Sequence, residues 1–243
     1  MKKDSNTNMK SQLISQGAEA VIRLENKIIT KDRIQKSYRL KELDENLRKK
    51  RTKSESKILE KTSQIINTPK VIKTEKFQIQ MQYIEGERLS ETLNEKPRKT
   101  QIEIIQEIAE QVAKLHDNNI IHSDLTTSNT ILTSKNNNQI KPRASINNKK
   151  LNNNQTNEVC LISSKEQPII YIIDFGLSFI SKRIEDKAVD IHLIKQALEA
   201  KHYQTWEKLY EEFIKAYNPI EKTKILERLK KVESRGRYKH SCE

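Results

Sequence analysis

Ile121-His122-Ser123-Asp124-Leu125-Thr126-Thr127-Ser128-Asn129 and, further along, Ile172-Ile173-Asp174-Phe175-Gly176 decide how the rest of the chain is read. Each piece sets acidic or amide side chains directly after a short apolar run, where a buried strand delivers them to a cleft. Asp124 is placed to accept or orient a hydroxyl proton. Asn129, five residues on, and Asp174 offer hard oxygen donors of the kind Mg²⁺ prefers. In the bland alternative Asp124 caps a turn and Asp174 ends a strand.

Phosphoryl transfer needs alignment and charge neutralisation more than covalent chemistry from the protein. Asp-Leu-x-x-x-Asn followed by Asp-Phe-Gly, each beside an apolar run, is the order in which kinases carry their catalytic loop and metal-binding element. Asp-Phe-Gly alone occurs by chance in many chains. The two pieces in this order are specific, and they make Asp124 the catalytic candidate and Asn129 and Asp174 the metal ligands.

Working outward, 243 residues suit one domain or one domain of two small lobes. No apolar run approaches the ~18–20 residues of a membrane span, and Met1-Lys2-Lys3-Asp4 has no apolar signal core behind it. Two cysteines, Cys160 and Cys242, are too few for a disulfide framework and fit a reducing compartment. The net charge of +13 suits a polyanion partner as well as a merely solvated lysine-rich surface. Only four glycines occur, so each is expected where backbone geometry or close approach demands it.

The periodicities divide the chain. Residues 1–12 are polar and expected to be disordered. Residues 13–85 read as a small sheet-and-helix lobe: a hairpin from 13 to 30, a helix from 36 to 66 with Leu40, Leu43 and Leu47, then Ile58, Leu59, Ile65 and Ile66 in its apolar pattern, then strands at 71–72 and 77–84. Residues 86–230 read as a mainly helical lobe. Its first helix carries Ile102, Ile105, Ala109, Val112 and His116, with Thr100 and Glu103 as a capping box. The runs 131–132 and 169–173 form a buried hairpin, and helices follow from Asp190. Nine asparagines between 136 and 157 mark 134–167 as a disordered insertion in that hairpin, with 159–162 as a conceivable extra strand. Residues 231–243 form a basic tail in which Gly236 interrupts the helix and leaves Arg235, Arg237 and Lys239 extended. The fold class is α+β: a bilobal, protein-kinase-like fold.

A kinase also needs a phosphate-covering loop, a lysine and a carboxylate that positions it. Gly17-Ala18-Glu19-Ala20, in the first hairpin, is the loop candidate, although one glycine is weak evidence. Lys31 is the phosphate-pairing candidate and Glu55 its partner. Met81-Gln82-Tyr83-Ile84-Glu85-Gly86 reads as a hinge in which Gln82 and Ile84 bind adenine through the backbone. A solvated surface charge is the bland reading for Lys31 and Glu55, outweighed only by the downstream motifs.

Arg51-Thr52-x-x-Glu55, Ser-Gln-Gly-Ala-Glu-Ala, Lys31-Asp-Arg with Lys36-Ser-Tyr-Arg39, Asp-Leu-Thr-Thr-Ser-Asn and Glu185-Asp-Lys-x-Val-Asp190 together resemble one family. It is the small atypical serine/threonine kinase of the KEOPS (EKC) complex, the bud-site-selection kinase related to the RIO kinases. The resemblance runs from Ser15 to Tyr238, broken by the insertion. It implies ATP and Mg²⁺ as cofactors, ATPase or autophosphorylating activity, and service to threonylcarbamoyladenosine synthesis in tRNA. The implied partners are a threonylcarbamoyl transferase and a small subunit on the N-lobe, with tRNA reached through the complex, no membrane, and a cytoplasmic and also nuclear location. Carried over, Asp124 is the proton acceptor, Asn129 and Asp174 are Mg²⁺ ligands, Lys31 pairs with phosphates and Glu55 anchors it. Ser123 and Ala188 stand where the family usually has glycine. The basic ending also resembles the family's, and Arg235, Arg237 and Lys239 are its candidates for tRNA phosphates.

Two other readings stay open. A small-molecule kinase of the aminoglycoside or choline type also uses a His-x-Asp loop, but the chain after Asp174 is short for an acceptor-binding domain. A catalytically weak scaffold would be expected to have lost Lys31, Asp124 or Asp174. The absence of Ala-Pro-Glu and the early helix after Gly176 leave no room for a peptide-docking segment and favour partner-coupled ATP hydrolysis.

Overall fold

The computed structural model describes residues 11–133 and 168–237. The asparagine-rich insertion, with its strand at 159–162, and Lys239 lie outside these.

A five-stranded antiparallel sheet comes first, in the order β1-β2-β3-β5-β4. Its strands are β1 (Gln12–Gln16), β2 (Ala20–Glu25), β3 (Ile28–Arg33), β4 (Val71–Thr74) and β5 (Gln78–Gln82). Asn26 and Lys27 turn β2 into β3 with φ of 52° and 61°, the left-handed pair that a two-residue hairpin requires. Between β3 and β4 runs α1 (Lys41–Thr62). Its inner face is unusually polar: Asp44, Thr52, Glu55 and Ser56 are buried beside Ile58 and Leu59.

Of the expected apolar stripe of α1, Ile58 and Leu59 do face inward, but the leucines of its first turns do not. Leu40 caps the helix and is 80% exposed, Leu43 is half exposed, and the helix starts at Lys41 rather than 36. The cause is Asp44. Its carboxylate takes the backbone N–H of Lys36 and pairs with Arg48 and Arg39, holding 36–40 as a bent lead-in. Burying those charges turns the helix away from the leucine face.

The second part is helical around α3 (Arg98–Asp117), reached through β6 (Glu87–Arg88) and α2 (Leu89–Thr92). Pro97, not Thr100, sets the start of α3: no side chain caps it, and the Gln101 amide turns back to the carbonyls of Lys96 and Asn94. β7 (Ile120–Ile121) leads into the loop carrying Asp124. β8 (Thr130–Thr133) and β9 (Ile169–Ile172) then pair antiparallel, Thr130 opposite Ile172, as the sequence hairpin requires. After β10 (Phe179–Ile180), which pairs with β7, come α4 (Ile184–Lys201), α5 (Trp206–Ala216) and α6 (Lys222–Arg237). The first of these begins at Ile184, six residues ahead of the expected Asp190. The last continues through Gly236 to Arg237, so the tail reading is corrected there: Arg235 and Arg237 are helical.

One apolar cluster joins the two parts. Ile58, Leu59, Ile79 and Met81 pack in the same set as Ile105, Ile108, Ile172 and Phe175, and on to Ile191, Leu198, Phe213 and Tyr217. Burying side chains of this size stabilises by about 1.5–3 kcal/mol each before entropy is counted. Burial of β9 on this core delivers Asp174 to the seam between sheet and helices.

Candidate active site

Strand β3 alternates its faces, so Lys31 and Arg33 both point toward α1. The ammonium of Lys31 donates to Glu55 Oε1 at 2.8 Å and to Asp174 Oδ1 at 2.6 Å. Burial alone would lower the Lys31 pKa, but attraction to Glu55 and Asp174 outweighs it and raises it above the ordinary value. Asp174 mirrors this. Burial pushes its carboxyl up, yet Lys31 and the Gly176 N–H hold it below the usual carboxylate range. Both groups are therefore ionised throughout the neutral range.

Gly176 lies hard against this pair. A Cβ there would lie 3.0 Å from Asp174 Oδ1 and 3.1 Å from Lys31 Nζ, wedged between the charges. Asp174 itself adopts φ of 61°, which turns its carboxylate back toward the sheet as β9 ends.

The Asp124 loop is built from below. Asn129 donates its amide to Asp124 Oδ2 and to the Asp124 carbonyl, both at 2.9 Å. That orientation leaves Asn129 Oδ1 without a hydrogen bond among the described residues, and Asp174 Oδ2 is likewise unengaged. One amide and one carboxylate oxygen suit Mg²⁺ on phosphates, an ion that keeps much of its shell from water and substrate. Among the described residues no three His, Cys, Asp or Glu side chains gather into a metal cage. The donor set thus fits a metal brought with a nucleotide.

Several residues that sequence reasoning passed over hold this loop. Asp190, buried on α4, accepts the backbone N–H groups of His122 at 2.6 Å and Ser123 at 2.7 Å. The same carboxylate meets His116 Nε2 at 3.3 Å, and His116 Nδ1 lies 2.6 Å from the Tyr217 hydroxyl. Ser123 adopts φ of 64°, so the departure from glycine is a strained residue whose backbone Asp190 clamps. Ala188 needs no such allowance: it is a buried residue inside α4. His202, buried at the end of α4, reaches Thr127 Oγ1 at 3.1 Å and Asn94 Oδ1 at 2.7 Å. The signals existed: Asp190 ends the Glu-Asp-Lys-x-Val-Asp run, and Arg33 lies two residues past Lys31.

The loop and hinge candidates flank this cluster. Gly17 N–H closes a turn onto Ala20 O at 3.0 Å, the Ala18 carbonyl takes the Lys36 ammonium, and Glu19 pairs with Arg51. Gly17 itself is not sterically compelled. A Cβ there would meet nothing nearer than Ala20 O at 3.9 Å, and its φ is not positive. Gly86 is compelled, since a Cβ would sit 2.4 Å from Leu132 O where the chain crosses β8. Just before it, Gln82 and Tyr83 N–H groups bond to Lys70 and Lys27 carbonyls, and Ile84 is buried. The basic ending stands apart: Arg235 pairs with Glu185 at 2.8 Å, beside Arg228, rather than facing solvent alone.

Comparison with known proteins extends the geometry. Residues 13–141 match the family model of the RIO domain. Over 245 residues the chain is 36% identical to the KEOPS complex subunit Bud32 of Pyrococcus abyssi, covering 94% of this chain and 96% of that protein. It is 31% identical to the probable serine/threonine-protein kinase BUD32 homolog of Archaeoglobus fulgidus, covering 91% and 94%. A probable bifunctional tRNA threonylcarbamoyladenosine biosynthesis protein of Methanosarcina barkeri is 30% identical over 93% of this chain, which spans 36% of that longer protein. Among solved structures, WaaP in complex with acyl carrier protein aligns over 93% of this chain and 89% of its own, with TM-score 0.53 and 10% identity. That likeness concerns the kinase-like fold alone.

Proposed function

Because the chain belongs to the Bud32 family of RIO-domain, kinase-like proteins, we propose that it is a Mg-ATP-dependent ATPase and serine/threonine kinase. It would act within a KEOPS assembly that supports threonylcarbamoyladenosine synthesis in tRNA. The observation that carries this reading is the meeting of Lys31, Glu55 and Asp174 within 2.8 Å in the seam above the Asp124–Asn129 loop. A scaffold would have no reason to keep a buried lysine between two carboxylates, because such burial costs more than a hydrophobic contact of the same volume.

Mg-ATP, when bound, supplies the phosphoryl group and the charge that its transfer develops. Lys31 orients phosphate oxygens with its ammonium, and Glu55 keeps that ammonium aimed. Asn129 Oδ1 and Asp174 would hold the metal. Asp124, steered by the Asn129 amide, accepts a proton from the attacking hydroxyl or water. The Asp190 clamp keeps the loop from relaxing during the step, which is how fixed dipoles lower a barrier. Backbone groups of Gln82 and Ile84 would receive the adenine, and residues 17–20 would cover the phosphates.

The segment from Asp174 to α4 is short. Phe179 and Ile180 within it are spent on pairing with β7, and Leu177, Phe179 and Ile180 are exposed. This supports hydrolysis coupled to a bound partner over phosphorylation of many peptides. The partners would be a threonylcarbamoyl transferase and a small subunit on the sheet lobe, in the cytoplasm and also the nucleus. Among the described residues no helix is long and apolar enough to cross a membrane. A pull-down of the tagged chain from native extract, read by mass spectrometry, tests the assignment. Recovery of a threonylcarbamoyl transferase is expected. Stoichiometric recovery of metabolic enzymes without it would favour a small-molecule kinase.

A further inference from the structure

Glu55 does not serve Lys31 alone. Its second oxygen, Oε2, takes the Arg33 guanidinium at 2.5 Å, and both side chains are almost wholly buried. Arg33 has no other anionic partner among the described residues, and its Nε, also buried, makes no hydrogen bond. Lys31, by contrast, divides its charge between Glu55 and Asp174. The two cations sit on the same face of β3, two residues apart, and grip one carboxylate on α1.

The way each cation is shared separates their roles. Without Lys31, Arg33 and Glu55 still form a neutral buried pair, and Asp174 keeps its solvent, its side chain being 43% exposed. Without Arg33, Glu55 depends on a lysine that Asp174 also draws, at 2.6 Å against 2.8 Å, so the buried carboxylate is left with a divided partner. A second set of ties already restrains α1: Arg51 with Glu19, and Ser56 with Thr74 at 2.6 Å.

We propose that Arg33 is a positioning residue that carries the charge of Glu55. It would hold α1 on the sheet whether or not nucleotide is present and leave Lys31 free to transfer its ammonium to phosphates. The helix then does not swing as a switch, and the site stays assembled between turnovers. The part concerning phosphates rests on the ATP reading above; the part concerning α1 does not.

The test uses the full-length chain without nucleotide. Amide hydrogen exchange across Lys41–Thr62 and the urea midpoint are measured for Arg33→Met, Lys31→Met, Arg33→Lys and the double variant Arg33→Met/Glu55→Met. Arg33→Met should speed exchange of α1 by about tenfold or more, the scale of a lost buried charge partner in local opening. Lys31→Met should stay within about twofold of the parent. Arg33→Lys should recover part of the protection. The double variant should regain the midpoint, since removing both partners leaves no orphan charge. Equal loosening by Lys31→Met, or a double variant no more stable than Arg33→Met, would overturn the proposal. Mg-ATP turnover, measured alongside, should fall by about 100-fold in Arg33→Met through misplacement of Lys31 and should not return in the double variant. If the parent chain turns over no ATP, the functional reading fails while the exchange data still decide the role of Arg33.

Discussion

Replacing Asp190 with alanine should remove the support beneath the Asp124 loop while leaving α4 helical, since alanine suits a helix interior. The carboxylate accepts two backbone donors, one buried and one part-buried, at 2.6 and 2.7 Å and meets the His116 ring at 3.3 Å. Hydrogen bonds to a charged group are each worth about 1.5–3 kcal/mol. Part of that is recovered because losing the aspartate also removes the cost of burying it, so a net loss of about 3–5 kcal/mol is expected. A domain of this kind has about 5–15 kcal/mol in total, so the variant should fold with a much reduced margin. Asp190→Asn keeps one acceptor oxygen but points an amide at a donor, and its loss should be of similar sign and about half the size. Urea unfolding followed by circular dichroism gives the stability. ATP turnover in the folded fraction should also fall steeply, because Ser123, at φ of 64°, loses the carboxylate that takes its backbone N–H. A stability change under about 1 kcal/mol in Asp190→Ala would refute the clamp.

Gly86→Ala drives a methyl to within 2.4 Å of Leu132 O and should cost about 1–3 kcal/mol. It should also weaken nucleotide binding at the hinge, seen as a smaller nucleotide-induced rise in melting temperature. For His202, burial first and then Lys201 lower the pKa below its ordinary 6.5. The unfolded chain therefore binds the proton that the folded chain resists. Stability should fall as pH drops below about 6.5, and His202→Gln should flatten that limb in urea midpoints taken across the range. Changing Arg235, Arg237 and Lys239 to alanine together should weaken tRNA binding by the assembled complex and flatten its salt dependence without altering ATPase. Unchanged affinity and slope would mean the helical ending is merely solvated and tied to Glu185.

The elements that meet at the candidate site are legible because their spacing is local. Asp124 with Asn129, and Asp174 with Gly176, each lie on one short stretch, and the β8–β9 pairing followed from apolar runs alone. What escaped was the long-range polar packing. Hydrophobic periodicity placed Leu40, Leu43 and Leu47 on the core side of α1, whereas Asp44 and Glu55 took that side once Arg48, Arg33 and Lys31 compensated their charge. Such compensation comes from residues distant in the chain, and a one-dimensional pattern does not record it. The clamp by Asp190 on residues 122 and 123 was hidden for the same reason. A hydroxyl and a glutamate at Thr100 and Glu103 imitated a capping box, but Pro97 had already fixed the turn. Gly236 imitated a helix stop, yet α6 runs on, tied through Arg235 and Arg228 to Glu185.

If the chain uses Mg-ATP, the chemistry runs through Asp174 and Asp124. ADP production by the purified chain, with Mg²⁺ and with the metal chelated, compared with Asp174→Asn and Asp124→Asn variants of verified fold, tests it most directly. Turnover is expected to depend on the metal and to fall about 100-fold or more in either variant, the loss of a metal ligand or base. Near-parent turnover in folded Asp174→Asn, or turnover indifferent to chelation, would contradict it.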